Sequence, residues 1–197
     1  MLTARNVQAV KNAAAEQYEQ LLILRCQAGD EAALSELIAR YSPGLLFFLR
    51  KMLGKSEGVD DLLQEVWIDV YRKINRLDRP TAFPAWLYRI ARDHAYRLLR
   101  RRPTALSIDY ETVESVADEP ETFTPEDAQQ VRAALDDLPM EQREVLVLRF
   151  VEQMSYEQIA QVIARPVGTV RSRIHYAKQA LRAKLEPNFI HEENHHD

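Results

Sequence analysis

The chain has 197 residues, 46% of them hydrophobic and 28% charged, with a formal net charge of -4; that length holds one or two domains with real cores. One cysteine excludes an internal disulfide and a cysteine-built zinc site. Five glycines and this charge content favour helices, and no apolar run approaches the ~20 residues that span a bilayer. The expectation is an all-α cytoplasmic protein without membrane insertion, since MLTARNVQAVKNAAAEQ lacks the apolar centre of a signal peptide.

Periodicity and breakers predict helices over 8–27, 30–53, 58–75 and about 83–101, with breaks at Gly29-Asp30, 54–58 and 79–81. Cys26 reads as a core filler of the first. In the third, DDLLQEVWIDVYRKI, the apolar residues Leu62, Leu63, Val66, Ile68, Val70 and Ile74 go around more than one side of the helix. Two readings stay open there. Part of that surface serves a protein partner with Asp60, Asp61, Gln64, Glu65 and Asp69 at its rim, or the acids are a solvated face with Asp60 and Asp61 favoured at a helix start.

The fourth segment ends in RIARDHAYRLLRRR, with six arginines against one aspartate, interleaved with His94 and Tyr96 and preceded by Phe83, Trp86 and Tyr88. A cationic track beside aromatic rings is what unpaired bases stack on. Trp86, Leu87 and Ile90 read as a buried face, whereas Arg92 and Arg97 read as phosphate contacts. Arg100, Arg101 and Arg102 are phosphate contacts or a solvated helix end favoured by the dipole.

From Pro103 to Asp127 the chain carries eight acids, no Lys or Arg, and three prolines, which marks a linker. Its first 23 residues stretch to at most roughly 75–83 Å, about two turns of duplex at ~34–36 Å each, whereas a free coil of that length averages only ~27 Å. Two DNA sites two turns apart therefore need something that holds the linker extended, and a cationic channel in a large partner would suit its acids. The same acids are expected to compete for the chain's own basic faces.

Beyond the linker, helices are predicted over 125–135 and 139–151, with Pro139 in a first turn and Val145, Leu146, Leu148 and Phe150 needing a partner surface. The stretch SYEQIAQVIARPVGTVRSRIHYAKQALRAKL then reads as a helix-turn-helix. Ser155 and Gln158 have capping-box spacing, which starts its first helix near Tyr156. In its second helix Val167, Val170, Ile174, Ala177 and Leu181 share one face, so Gly168, Thr169, Arg171, Ser172, His175 and Lys178 point elsewhere. Between Arg165 and Lys184 lie six basic residues and no acid, a local charge opposite to the global one that suits a polyanion.

An enzyme is disfavoured. His94, His175, His191, His195 and His196 show no metal spacing, no glycine loop cradles phosphate, and neither catalytic residues nor a cofactor nor a metal are expected. The tail histidines read as part of a disordered end.

Three segments, DDLLQEVWIDVYRKINRL, FPAWLYRIARDHAYRLLRRR and LPMEQREVLVLRFVEQMSYEQIAQVIARPVGTVRSRIHYAKQALR, closely resemble the bacterial extracytoplasmic-function (group IV) sigma factors of the sigma-70 family, over roughly 30–185. The resemblance implies a sigma-2 domain at 19–102 after an N-terminal extension at 1–18, an acidic linker at 103–127, a sigma-4 domain at 128–186 and a tail at 187–197. It implies a non-enzymatic RNA polymerase sigma factor that binds the core enzyme and directs promoter-specific initiation. Asp60, Asp61, Gln64, Glu65, Trp67 and Asp69 would meet the clamp helices of the largest polymerase subunit. Asn75, Arg76, Phe83, Arg89, Arg92, Tyr96, Arg97 and Arg100 would recognise and melt the minus-10 element, with a flipped base held near 75–83. Arg165, Gly168, Thr169, Arg171, Ser172, Arg173, His175 and Lys178 would read the minus-35 element in the major groove while the same domain docks on the polymerase flap. The linker would lie in the polymerase cleft and RNA exit path, and an anti-sigma factor is a further partner the resemblance allows.

One residue departs from the family pattern. Ala164 stands in the turn where glycine is usual, and alanine in a left-handed conformation costs about 1 kcal/mol. Two other classes remain on the residues alone: an autonomous helix-turn-helix regulator, which would need a dimer interface to read two half-sites, and a helical adaptor that binds only proteins.

Overall fold

The computed structural model describes residues 4–54, 58–101 and 125–189, and every regular element among them is helical. The first block is α1 (Ala4–Gln27), α2 (Glu31–Leu53), α3 (Val59–Lys73) and α4 (Phe83–Arg101). The second is α5 (Pro125–Asp136), α6 (Met140–Leu146), α7 (Tyr156–Ile163) and α8 (Val167–Phe189). Short 3₁₀ turns at Ile74–Arg76 and Pro80–Ala82 lead from α3 to α4, and a π-helical turn, Val147–Val151, continues α6.

Most boundaries follow local chemistry. Gly29, at φ +88°, ends α1, and Asp30 then caps α2 by accepting from the Ala32 and Ala33 amides at 2.9 and 3.1 Å. Arg25 reaches across to the second Asp30 oxygen at 2.7 Å, which fixes the turn between the two helices. From Ala4 onward the segment set apart as an extension is continuous with the first helix. Helix α3 stops at Lys73 rather than at residue 75, and the following turn is held by Gln27, whose Nε2 donates to the carbonyls of Ile74 and Leu77 at 2.9 and 2.8 Å. The helix expected over 139–151 divides: Pro139 stands just outside α6, and the π turn adds a residue per turn, leaving Phe150 and Val151 half exposed while Val147 and Leu148 stay buried. Residues 125–127, counted with the linker, are the first turn of α5, where proline costs no helical hydrogen bond. The rest of the linker and the histidine tail lie outside the described residues.

Helix α2 is the centre of the first block. Leu37, Leu45, Phe48 and Leu49 are fully buried, together with Leu22 and Ile23 of α1, Val66 and Val70 of α3, and Phe83 and Leu87 of α4. By length and composition α2 would suffice to cross a membrane, but its apolar face is spent on this core. Cys26 packs there too, and burial pushes its thiol up to about 11, so it is a poor nucleophile at neutral pH. In the second block the apolar run Val145–Leu148 finds its partner surface in Ile159, Val162, Val170, Ile174 and Ala177.

His94 pins α4 to α3. It is almost wholly buried, with Nε2 2.9 Å from Asp69 Oδ2 and Nδ1 3.3 Å from Glu65 Oε2. Asp69 also accepts from Lys73 at 2.8 Å, and these contacts, Lys73 first and His94 second, hold its carboxyl at about 2. A carboxyl lowered in the folded state stabilises above its unfolded value near 3.8 and loses that contribution as pH falls towards 2. Asp69→Asn should therefore destabilise the fold by about 1 kcal/mol at pH 7, after allowance for solvent around Lys73. Urea titrations should show that difference shrinking between pH 4 and pH 2, and a difference constant across that range would refute the assignment.

Candidate nucleic-acid interface

The helix-turn-helix is built as its sequence requires. Ser155 Oγ accepts from the Gln158 amide at 3.2 Å and Gln158 Oε1 accepts from the Ser155 amide at 2.8 Å, a reciprocal box that starts α7 at Tyr156. Helix α7 ends at Ala164, whose φ of 51° and ψ of 49° are left-handed, with its amide and that of Arg165 both bonded to the Ala160 carbonyl. The turn thus keeps the geometry that glycine would give it, at a steric cost of about 1 kcal/mol. Pro166 then accepts from the Thr169 and Val170 amides at 2.9 and 3.2 Å, which turns the chain into α8.

Val170, Ile174 and Ala177 are buried, Val167 and Leu181 half-buried. Gly168, Arg171, Ser172, His175 and Lys178 are exposed on the opposite side, as is Arg165 in the turn, whereas Thr169 is half-buried. Ser172 already donates to the Thr169 carbonyl at 3.0 Å, and the Arg171 guanidinium stands 5.9 Å above the Tyr156 ring. Arg173 does not join this surface. It lies three residues beyond buried Val170 and beside Ile174, on the flank of the packed face, and bonds Glu141 of α6 at 3.0 Å.

On the first block Asn75, Arg76, Arg89, Arg97 and Arg100 are exposed. Phe83 is not: it is fully buried, edge-on to Tyr41 at 5.4 Å and tilted against Trp86 at 6.0 Å, so no base reaches its ring in this conformation. His94, read among the stacking rings, is instead the buried bridge to α3. Leu87 is buried as expected, and Trp86 and Ile90 half-buried. Arg92 and Tyr96 face the second block, where Arg92 Nε meets Glu144 Oε1 at 2.5 Å and the Tyr96 hydroxyl donates to Glu144 Oε2 at 3.4 Å. The Arg92 guanidinium also lies 4.2 Å over the Tyr96 ring.

Glu144 decides the electrostatics here. Its side chain is wholly withdrawn from water, which raises its carboxyl above the ordinary range against the opposing pull of Arg92. A carboxylate so placed costs several kcal/mol unless a cation and further hydrogen bonds offset it, and Arg92 and Tyr96 are those groups. Sequence reasoning missed Glu144; the available signal was an acid immediately before the apolar run VLVL, at a position that must face inward if the run does.

Helix α3 presents the remaining surface. Asp60, Asp61, Gln64 and Glu65 are exposed, and steps of three and four residues carry the same side on to Ile68 and Tyr71, which are 49% and 63% exposed. Two residues assigned to this surface lie elsewhere. Trp67 is buried, its indole N–H donating to Ser42 Oγ at 3.0 Å, and Asp69 is turned towards Lys73 and His94.

Sigma-70 region 2 matches residues 37–103 and sigma-70 region 4 matches residues 128–181, which places the basic end of α4 in the first and the helix-turn-helix in the second. The ECF RNA polymerase sigma-E factor of Escherichia coli (strain K12) is 34% identical, covering 86% of this chain and 95% of that protein. The chain belongs to the extracytoplasmic-function sigma factors. The sigma-E factor of Haemophilus influenzae (strain ATCC 51907 / DSM 11121 / KW20 / Rd) is equally similar, at 34% identity over 86% of this chain and 96% of its own. Among solved structures, CnrH in complex with the cytosolic domain of CnrY superposes with a TM-score of 0.65 at 25% identity, covering 86% of this chain and 97% of that one. The sigma factor RpoE in complex with the anti-sigma factor NepR from Bartonella quintana gives 0.62 at 26% identity, over 77% and 96%. This sigma factor is thus an RNA polymerase subunit for promoter-specific initiation, a DNA-binding protein and not an enzyme.

The left-handed alanine gives a direct test of the turn. Ala164→Gly should raise the thermal midpoint, with a gain of up to about 1 kcal/mol reduced by the extra freedom of glycine in the unfolded chain. A loss of stability would show that the methyl group makes a compensating contact.

Proposed function

We propose that α8 of this sigma factor enters the major groove of the minus-35 element and reads bases through Arg171, Ser172, His175 and Lys178, with Arg165, Gly168 and Thr169 at the helix start close to the backbone. The observation that carries this reading is the exposed outer face from Gly168 to Lys178, free of acids, on a helix held at a fixed angle by the capped α7 and its left-handed turn. Arg173 is excluded from base reading while Glu141 holds it. Asn75, Arg76, Arg89, Arg97 and Arg100 contact the minus-10 element, and Arg92 and Tyr96 join them once free of Glu144. Base capture by Phe83 would require the ring to leave the core, so the flipped base is held by the exposed residues around 75–82.

The clamp helices of the largest polymerase subunit dock on the side of α3 bearing Asp61, Gln64, Glu65, Ile68 and Tyr71. Acidic and amide groups beside two exposed apolar side chains suit such an interface, in which aromatic anchors dominate the energy. The half-exposed Phe150 and Val151 are a second apolar patch, suited to the flap. Since both solved relatives were captured with a second polypeptide, the cytosolic domain of CnrY in one case and the anti-sigma factor NepR in the other, an anti-sigma factor is a partner here, and the working compartment is the cytoplasm.

Run-off transcription with purified bacterial core polymerase on a genomic library tests the whole reading: transcripts should appear only from promoters sharing two elements. Within that assay Arg171→Ala should cost about 1–3 kcal/mol if the guanidinium reads guanine, relaxing one base position of the upstream element. An equal loss on every promoter would assign Arg171 to phosphate. Tyr71→Ala should weaken core binding at least about tenfold, or ~1.4 kcal/mol, as expected of a buried aromatic anchor, while duplex affinity stays unchanged. Unaltered core affinity would remove α3 from the interface.

A further inference from the structure

The ring of Tyr156, at the start of α7, gathers two guanidinium groups. Arg149 of the π turn has its Cζ 5.2 Å from the ring centroid, and Arg171 of α8 has its own at 5.9 Å. Three elements thus meet at one side chain.

The place of that ring is fixed by its neighbours. Tyr156 is half-buried against the core, and the reciprocal bonds of Ser155 and Gln158 set the backbone that carries it. Met154, two residues earlier, is buried and held at both polar ends. Its amide donates to the Leu148 carbonyl at 3.0 Å, and its carbonyl accepts from Arg149 Nη1 at 2.8 Å. Gln153 bends the chain there at φ 54° and donates to the Phe150 carbonyl at 2.6 Å. Arg149 is thereby anchored, whereas Arg171 is exposed and stands outside every described ion pair.

That difference matters for reading a base. An arginine caught by a carboxylate has donors of its fork consumed, as Arg92 has by Glu144 and Arg173 by Glu141. A ring attracts the cation through its face and takes none of the N–H donors, so the fork stays available to the paired acceptors of a guanine edge. Glu157 adds attraction without capture. Its carboxyl is held below the usual range, first by its own backbone amide, then by the Ser155 hydroxyl and lastly by the charge of Arg171. A long side chain kept near its working position gives up less rotamer freedom on binding than one that roams in water.

We propose that Tyr156 is the positioning residue for Arg171: its ring, beside the anchored Arg149, aims an uncaptured guanidinium at the upstream element and so sharpens the choice of one base pair. This role rests on the base-reading function proposed above for Arg171. The ring contact itself is measurable without DNA.

The experiment compares the full-length wild type with Tyr156→Phe and with a chain carrying pentafluorophenylalanine at position 156. The rings are similar in size, but fluorination removes the negative face that attracts a cation. Side-chain NMR of the free chain reports the contact. The Arg171 Nε–Hε resonance, assigned by its loss in Arg171→Ala, should be displaced upfield in the wild type and Tyr156→Phe and should return towards its solvated position beside the fluorinated ring. Each protein, assembled with core polymerase, is then measured on promoters carrying each base in turn at the pair that Arg171 reads. Discrimination there should fall about two- to fivefold with the fluorinated ring, the size of an exposed cation–π contact, and stay unchanged at other pairs and in Tyr156→Phe. In an Arg171→Ala background the fluorinated ring should have no such effect.

A solvated Arg171 resonance in the wild type would overturn the contact. Equal discrimination with all of these rings would overturn the positioning role, and a loss shared by every promoter in Tyr156→Phe would assign Tyr156 to phosphate through its hydroxyl instead. Should the fluorinated chain fail to fold, Tyr156→Leu takes its place, with the same loss expected at the one pair; a uniform loss would refute the proposal. If Arg171→Ala leaves every base preference intact while the displaced resonance persists, the base-reading assignment and the specificity drawn from it fail, whereas the ring contact stands.

Discussion

A carboxylate taken out of water must be met by a cation and by hydrogen-bond donors, and the arrangement of this protein follows from how that requirement is met at Glu144. The acid sits on α6, beside the apolar residues that pack under the helix-turn-helix, so it cannot turn to solvent without pulling Val145 and Leu146 out of their core. Its cation comes from the other block, as Arg92, and its hydroxyl donor from Tyr96 one turn further along α4. A pairing that is electrostatic in origin therefore helps to set how the two halves sit, and Gly44 leaves room beside it for the link between the Tyr88 hydroxyl and Glu152.

The same charge logic separates the surfaces of the molecule. Arginines that remain solvated, at positions 76, 89, 97 and 100 on one block and 165 and 171 on the other, have no acid within bonding distance among the described contacts apart from solvent-facing neighbours, and they are the residues suited to phosphate and base. Of the arginines expected at DNA, the two caught by acids, Arg92 and Arg173, sit on the flanks of packed faces. Helix α3 carries the opposite sign together with exposed Ile68 and Tyr71, a combination that suits the protein interface proposed for it.

Local rules carried a large part of the structure. The capping box at Ser155 and Gln158, the break at Gly29-Asp30, and the span of α4 were all legible because each depends on a few neighbouring residues competing for the same backbone groups. The helical period also separated the inward from the outward side of α8, whereas on α3 it left two readings open, and of the apolar residues it named Ile68 is the exposed one. The charge reversal between 165 and 184 pointed to a polyanion for the same reason: it is a property of the chain and survives folding.

What the chain could not disclose is which of several chemically similar residues would be consumed by the fold. Phe83, Trp67 and His94 have the composition of a base platform or a docking anchor, and only the packing of α2, α3 and α4 together turned the first two into core and the third into a bridge to Asp69 and Glu65. Periodicity assigns a residue to a face but not to a partner, because partners are set by helices distant in sequence. Sequence alone thus determined the helical class, the approximate span of most helices, the Ser155 cap and the charge pattern that set the family resemblance. The tertiary structure decided that Arg92 and Tyr96 answer a buried glutamate, since the free energy of that carboxylate depends on what stands beside it in space.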